Sequence, residues 1–274
     1  MTIAVILATY NQPHWLERVL WGYAVQTHAD FEIVIADDGS GPETAEVIER
    51  VRSTSPLRIT HVWHEDRGFR KSEILNRGIL ATDAQYLIFS DGDCIPRNDL
   101  VAAHARHAAP GRFLSGGYLK LPASVSELIT LEDIRSGRVA DIAWLRRMGW
   151  HPGRRALRLT RSPRLAAVLD AVTPTAPTWN GHNASTWRDA LIAANGFDLD
   201  MPYGGQDRAL GERLVNLGLR GRQIRHRAPC MHLDHGRPYR DQARIEANLA
   251  IRSRIKRNRE TRARLGITEM DAAR

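Results

Sequence analysis

Asp91-Gly92-Asp93 sets two carboxylates one residue apart, after an apolar run and before Cys94-Ile95-Pro96. At a strand end such a pair projects into one crevice. Hard divalent cations such as Mg2+ and Mn2+ favour these oxygen ligands and keep positions for phosphate oxygens. Asp-Gly-Asp is also an ordinary turn sequence. Asp37-Asp38-Gly39-Ser40 is a second acidic turn after an apolar run. A carboxylate there can accept from a base N–H or a ribose hydroxyl, while Ser40 can cap the helix that follows. Thr9-Tyr10-Asn11 ends the first apolar run, and its aromatic ring could flank a base. Asp207, in Gly204-Gly205-Gln206-Asp207, precedes a helical pattern with Leu210, Leu214 and Leu217 on one face. A first-turn position favours the ionised carboxylate. Such a group can take a proton from a hydroxyl, or simply cap the helix. His232 and His235 follow Cys230. With a carboxylate they could hold a metal, and imidazole suits Mn2+ better than Ca2+. Packing or surface roles are the competing use.

Other chemistries lack their motifs. The chain has no Cys-x-x-Cys pair and no His-Glu-x-x-His segment for zinc. It has no Gly-x-Gly-x-x-Gly and no phosphate-loop Gly-Lys-Ser/Thr, which sets aside dinucleotide and ATP-loop enzymes.

The elements that must position these residues are legible. Apolar runs at residues 3–7, 31–36, 57–62 and 86–89 read as strands, and helical patterns stand between them. Pro13 and Pro42 suit the first position of a helix. Alternation of this kind predicts an α/β fold, with a mostly parallel central sheet and helices on both faces. Ligands then bind outside the carboxyl ends of the strands. Asn11, Asp38 and Asp91 all stand just past such ends, so one crevice could hold them.

After Tyr118 the pattern changes. Residues 123–175 show no period-2 strand, and residues 142–169 hold seven arginines with no Asp or Glu, beside Trp144 and Trp150. This predicts a helical arginine-rich insertion. Residues 237–264 carry ten basic and three acidic residues and predict a basic, surface-lying C-terminal helix. The 274 residues carry a net charge of +8, concentrated in these two stretches. Only three basic residues are lysines, and arginine forks match phosphates, so an anionic partner is expected. Two cysteines make no disulfide framework, no apolar stretch reaches 18 residues, and the N-terminus lacks a signal pattern. These features predict a cytoplasmic protein. Segregated positive charge with nearby tryptophans predicts a peripheral place on an anionic membrane face.

The order of the motifs resembles family 2 glycosyltransferases with the GT-A fold. Thr9-Tyr10-Asn11, the Asp37–Ser40 turn, Gly68-Phe69-Arg70 and Asp91-Gly92-Asp93-Cys94-Ile95-Pro96 carry the first half. Asn180-Gly181-His182-Asn183, Asn195-Gly196-Phe197-Asp198, Tyr203-Gly204-Gly205-Gln206-Asp207 and His232-Leu233-Asp234-His235 carry the second. That half is similar to bacterial chondroitin-polymerase-type and β-1,4-galactosyltransferase-type enzymes. The resemblance implies a nucleotide-sugar half over 1–120 and the insertion over 121–177. It further implies an acceptor and metal half over 178–236 and a basic tail over 237–274. By that resemblance Thr9, Tyr10, Asn11, Asp38, Arg70, Asp91 and Asn183 would bind the nucleotide sugar. Asp93 with His235, or as second choice His232, would hold Mn2+ or Mg2+. Asp207 would be the catalytic base, and Tyr203 and Gln206 would meet the acceptor. Gln206 departs from the family's usual Glu, which removes a carboxylate contact to the acceptor but leaves the base.

The implied function is metal-dependent, inverting transfer of a sugar from a nucleotide sugar, most simply UDP-linked. The acceptor would be a hydroxyl of a glycan or lipid-linked glycan, as in bacterial envelope polysaccharide synthesis. A single base opposite the leaving group implies inversion, unlike the paired carboxylates of glycoside hydrolases. The competing readings are a metal-dependent nucleotidyltransferase or phosphohydrolase on the same acidic turns, and a basic nucleic-acid-binding protein. No nucleic-acid-binding module is recognisable, so nucleic acid is not an expected partner.

Overall fold

The computed structural model of the chain describes residues 1–234 and 242–270. Four strands open it: β1 (Ile3–Thr9), β2 (Glu32–Asp37), β3 (Arg58–Trp63) and β4 (Tyr86–Asp91). Helices α1 (Pro13–Ala24), α2 (Pro42–Thr54) and α3 (Lys71–Leu80) link them in turn. β1 is buried at every residue because helices cover both sheet faces, which is why its sequence does not alternate. Pro13 and Pro42 start α1 and α2, where the missing N–H costs no hydrogen bond.

Then come β5 (Cys94–Pro96), α4 (Leu100–His107), β6 (Arg112–Ser115) and β7 (Gly117–Lys120). The regular elements of the insertion are all helical and are joined by irregular segments: α5 (Ala123–Ser126), α6 (Leu131–Arg135), α7 (Ile142–Arg147) and α8 (Pro163–Val172), with 3-10 turns at Arg138–Ala140 and Gly153–Leu159. β8 (Ala184–Trp187), α9 (Arg188–Ala193), α10 (Gln206–Asn216), β9 (Arg220–Gln223) and β10 (Pro229–His232) follow. α11 (Gln242–Asn258) and α12 (Ile267–Met270) close the described chain.

Seven strands form the main sheet in the order β3-β2-β1-β4-β8-β6-β9. β3-β2-β1-β4 and β6-β9 pair in parallel, while β8 runs antiparallel to both of its neighbours. The predicted mostly parallel α/β fold is therefore what the chain adopts. Register aligns the functional ends: Thr9 pairs with Asp37, and Ala8 with Asp91. Because β8 is antiparallel to β4, its leading loop, residues 180–183, meets the same end of the sheet.

A second sheet, β5-β10-β7, was not foreseen from the sequence. Its strands have only three or four residues, too few for a period-2 pattern to register. It matters because β10 lies antiparallel to β5 with His232 opposite Cys94.

Two expectations about the basic segments need correction. Trp144 is buried and Trp150 packs partly buried on the main core, in one apolar cluster with Leu16, Tyr23, Leu100 and Met231. A ring with that much apolar area gains more by burial than at a headgroup. Trp144 is therefore turned into the core, and Trp150 is engaged there in part. The described part of the tail is not simply solvated either. α11 lies along α10, with Ile255 buried beside Met201 and Ala209. Arg252 and Lys256 reach Glu212 at 2.6 and 3.2 Å. No helix among the described residues is long and apolar enough to cross a membrane.

Candidate active site

At the carboxyl end of β4, Asp91 Oδ1 accepts from Lys71 Nζ at 2.7 Å. Lys71 opens α3, directly after the Gly68-Phe69-Arg70 loop. Burial pulls down the pKa of its ammonium, but Asp91, Asp207 and Asp93 outweigh that and hold it above the ordinary lysine value. Lys71 therefore carries a firm positive charge among three carboxylates. Sequence reasoning missed it. Its one signal was scarcity: it is one of three lysines in the chain.

Asp207 stands in the first turn of α10, after Gly205 with φ +98°. Its carboxylate lies against the backbone of the loop before β8. A Cβ on Gly181 would come within 2.6 Å of Asp207 Oδ1, so glycine is required at that position. Asp207 Oδ1 is buried with no hydrogen-bond partner among the described residues. Burial raises the carboxyl pKa; Lys71 pulls it down, Asp91 pushes it up, and the net result stays above the ordinary aspartate value. A carboxylate in that state is a stronger base than one in water, and it has an oxygen to spare. Structure thus gathers Asp91, Lys71 and Asp207 into one crevice.

Asp93 follows at the other edge. Leu233 N–H donates to the Asp93 carbonyl at 2.9 Å, which extends the β5–β10 pairing. That register brings His232 Nε2 to 3.6 Å from Asp93 Oδ2. Cys94 Sγ completes a group whose ligand atoms all lie within 4.8 Å of one another. Burial and the neighbouring Cys230 raise the Cys94 thiol well above its ordinary pKa, and it donates to Asp93 Oδ1 at 3.2 Å. Cys94 is thus a protonated donor that orients the carboxylate. The oxygen of Asp93 and the imidazole of His232 are a donor pair that fits Mn2+ and leaves positions for diphosphate oxygens. His235, the other predicted ligand, lies outside the described residues.

His182 and Tyr118 line the same edge. Their rings meet edge-on at 4.5 Å, and Tyr118 stands 6.1 Å from His232. Burial drives the His182 pKa down to about 4, so this imidazole is neutral at physiological pH.

Past β1 and β2 the predicted residues divide. Thr9 Oγ1 is buried without a partner among the described residues. The Tyr10 ring is exposed, and its hydroxyl donates to Asp66 Oδ2 at 2.9 Å. Asn11, in the left-handed region at φ +47°, accepts from Gly41 N–H through its side chain and donates its own N–H to Ser40 Oγ. Asp38 is buried, with Oδ1 on His64 Nε2 at 2.8 Å and Oδ2 accepting from Arg70 N–H at 3.1 Å. Asn11, which is exposed, and Asp38, which is buried, both brace the turn through these bonds. Arg70 also points elsewhere: its guanidinium binds Glu73 at 2.9 Å and the Glu65 carbonyl. Lys71, the next residue, is the cation that reaches Asp91.

Asn183 is a correction. Its side chain is buried, donating to the carbonyls of Gly117 and Ala228 at 2.8 and 2.6 Å and meeting His104 Nε2 at 2.8 Å. Both ends of the amide are used inside the core, where they tie the loop before β8 to β7, Ala228 and His104. Gln206 is buried too, and its Oε1 accepts from Gly204 N–H at 3.0 Å, which shapes the loop. Tyr203 packs edge-on against Phe69 at 5.6 Å, beside the crevice. Asn248 of α11 was missed from sequence. Its Nδ2 reaches the carbonyls of Pro202, Tyr203 and Gly204 at 3.1, 3.2 and 2.7 Å.

Comparison with known proteins agrees with this architecture. Residues 4–116 match the model of glycosyl transferase family 2. Validoxylamine A glucosyltransferase of Streptomyces hygroscopicus subsp. jinggangensis is 31% identical over 236 residues, spanning 79% of this chain and 52% of that protein. The chain thus spans about half the length of the curated relatives it matches most fully. Poly-beta-1,6-N-acetyl-D-glucosamine synthase of Staphylococcus aureus is 31% identical over 97 residues, covering 35% of this chain and 23% of that protein. Among solved structures, S. aureus TarS 1-349 in complex with UDP-GlcNAc aligns with TM-score 0.60 at 15% identity, over 99% of this chain and 70% of that one. Mannosyltransferase PcManGT from Pyrobaculum calidifontis, in complex with GDP-Man and Mn2+, aligns with TM-score 0.57 at 21% identity, over 86% and 58%. These likenesses establish the GT-A type of fold.

Proposed function

Because this chain carries a family 2 glycosyltransferase domain of GT-A fold, we propose that it moves a sugar from a nucleotide sugar to an acceptor hydroxyl with inversion. The observation that carries this reading is Asp207: a buried carboxylate with a raised pKa and an unengaged oxygen, in the same crevice as the Lys71–Asp91 pair. It takes the proton of the attacking hydroxyl as that oxygen bonds to the anomeric carbon. Attack from the side opposite the leaving diphosphate inverts the configuration.

The donor is best read as UDP-linked, since a solved neighbour is bound to UDP-GlcNAc. Its nucleoside lies past β1 and β2, where Thr9 Oγ1 and the Tyr10 ring are available. Asp93 and His232, or His235, would hold Mn2+ or Mg2+, which would offset the charge of the leaving diphosphate. Lys71 keeps Asp91 oriented and supplies the fixed positive charge of this chain at the crevice floor. Preorganised charge of this kind acts without reorganisation cost at the moment of reaction. Tyr203 gives an acceptor sugar an aromatic face. A glycan or lipid-linked glycan fits that wall. Three aliphatic residues of α8, Leu165, Val168 and Val172, are exposed beside Arg164 and would suit an anionic membrane face carrying a lipid-linked acceptor.

The test is release of UDP from a panel of UDP-sugars with Mn2+, with and without glycan acceptors. Release that depends on acceptor supports transfer. Equal release without acceptor points to a phosphohydrolase on the same acidic turns.

A further inference from the structure

We infer that Arg155, Arg158 and Arg225 form a subsite for a phosphate group carried by the acceptor. The inference rests on the transferase reading above and adds the chemical class of its second substrate. Arg158 Nη1 donates to the Tyr118 carbonyl at 2.6 Å. Arg225 packs against the residue before it: a Cβ on Gly117 would lie 2.7 Å from Arg225 Cγ. The two arginines therefore meet adjacent residues of β7, Arg158 at Tyr118 and Arg225 at Gly117. Arg155 stands three residues before Arg158 in the 3-10 turn Gly153–Leu159, a spacing that stacks side chains one above the other. Burial and the like charges of Arg225 and Arg155 lower the Arg158 pKa, with Tyr118 opposing them. No ion pair joins any of the three to a carboxylate among the described residues; Arg225 is turned to Thr175 Oγ1 at 3.3 Å. Three forked cations held together without a counter-charge suit a phosphate, whose oxygens can take several N–H donors at once.

Position assigns this subsite to the acceptor. Tyr118, which Arg158 holds, packs on His182 and stands near His232, and His232 lies beside Asp93. The patch thus borders the crevice on its β7–β10 side. The nucleoside reading places the donor's base past β1 and β2, across β4 from there. The donor diphosphate falls between the two, at Asp93. A phosphate bound by the three arginines is then a different one, on the molecule that presents its hydroxyl to Asp207. A free sugar phosphate and the phosphate of a lipid-linked glycan share this chemistry.

The probe is tripolyphosphate, titrated as its preformed Mn2+ complex by calorimetry into protein already saturated with UDP and Mn2+. Binding is expected to persist with the donor site filled. Charged hydrogen bonds of about 1.5–3 kcal/mol predict that Arg155→Glu with Arg225→Glu weakens it by at least about tenfold. UDP affinity should stay unchanged in the same variant. Arg155→Glu alone changes an exposed side chain and should give a smaller loss of the same sign, which guards against a folding defect in the double variant. Tripolyphosphate that competes with UDP, or binds the variants as tightly as wild type, overturns the subsite. Equal affinity for an oligogalacturonate of matched charge overturns the phosphate assignment in favour of carboxylates. Binding to anionic vesicles but not to tripolyphosphate gives the patch to a membrane surface and overturns it as well. If wild-type protein binds no UDP, the donor reading fails by itself. The comparison of wild type and variants with tripolyphosphate, run without UDP, then still decides the patch.

Discussion

The turn after β2 and the crevice after β4 are both acidic, yet they use their carboxylates differently. Asp37 is bonded to Ser40 N–H and to His61, and Asp38 to His64 and Arg70 N–H. Every carboxylate oxygen in that turn has a partner inside the protein. In the crevice, Lys71 is bonded to Asp91 and is also felt by Asp93 and Asp207, while Asp207 keeps an unengaged buried oxygen among the described residues. A saturated carboxylate fixes backbone. A carboxylate left short of donors in a buried place is costly unless a ligand completes it. The same residue type is thus framework in one turn and chemistry in the other.

The largest effect expected from this contrast is at Asp93. Loss of a supporting contact alone costs a metal site 10- to 100-fold, so removal of a ligand in Asp93→Ala should weaken Mn2+-dependent UDP binding by about 100-fold or more. His232→Ala should follow with a smaller loss, since its imidazole lies 3.6 Å from Asp93, and His235→Ala, the ligand expected from the resemblance, is the comparison. Calorimetry of UDP with and without Mn2+ orders the three. If His235→Ala loses more than His232→Ala, the ligand is His235 and His232 only lines the edge.

Lys71→Met comes next. It leaves Asp91 and Asp207 facing each other without their cation, and loss of a charged hydrogen bond of about 1.5–3 kcal/mol predicts a roughly 10- to 100-fold fall in transfer. The pH profile is the sharper readout. Asp207 works ionised, so activity rises with pH through its raised pKa, and Lys71 is the strongest of the groups that pull that pKa down, ahead of Arg208 and the Gly181 backbone. Without Lys71 the carboxyl titrates higher still, and the acid limb of kcat/KM moves to higher pH. An unmoved limb would separate Lys71 from the base.

The smallest functional effect is expected at the saturated turn. Asp38→Asn leaves His64 or Arg70 N–H poorly matched, at about 1–3 kcal/mol of stability. In a chain of this length each kcal/mol lowers Tm by roughly 2–4 °C. UDP affinity should change far less than in Asp93→Ala. A collapse of UDP affinity with an unchanged Tm would make Asp38 a ligand contact and erase the contrast.

Much of this was legible in the sequence, for physical reasons. Strands buried on both faces leave continuous apolar runs, and Pro13 and Pro42 mark helix starts, so the sheet and the turns at its carboxyl ends could be placed. Asp91, Asp93 and Asp207 followed because each stands at an element's end. Lys71 was not legible, since a lysine one residue into a helix looks solvated until β4 is folded against it. Asn183 looked like a sugar contact because its motif does, but burial against Gly117, Ala228 and His104 depends on β7 and β10, whose short strands carry no pattern. The role of α11 was hidden the same way: Asn248 is one polar residue in a basic helix until three carbonyls of residues 202–204 meet it.

The central claim is that Asp207 is the base. Asp207→Asn keeps the size of the side chain and removes its basicity. With acceptor and UDP-sugar saturating, the transfer rate should fall by roughly 100-fold or more, in line with general-base contributions, while the Kd for UDP with Mn2+ stays at the wild-type value. A variant that transfers sugar within a small factor of wild type would contradict the account and move the base to another carboxylate.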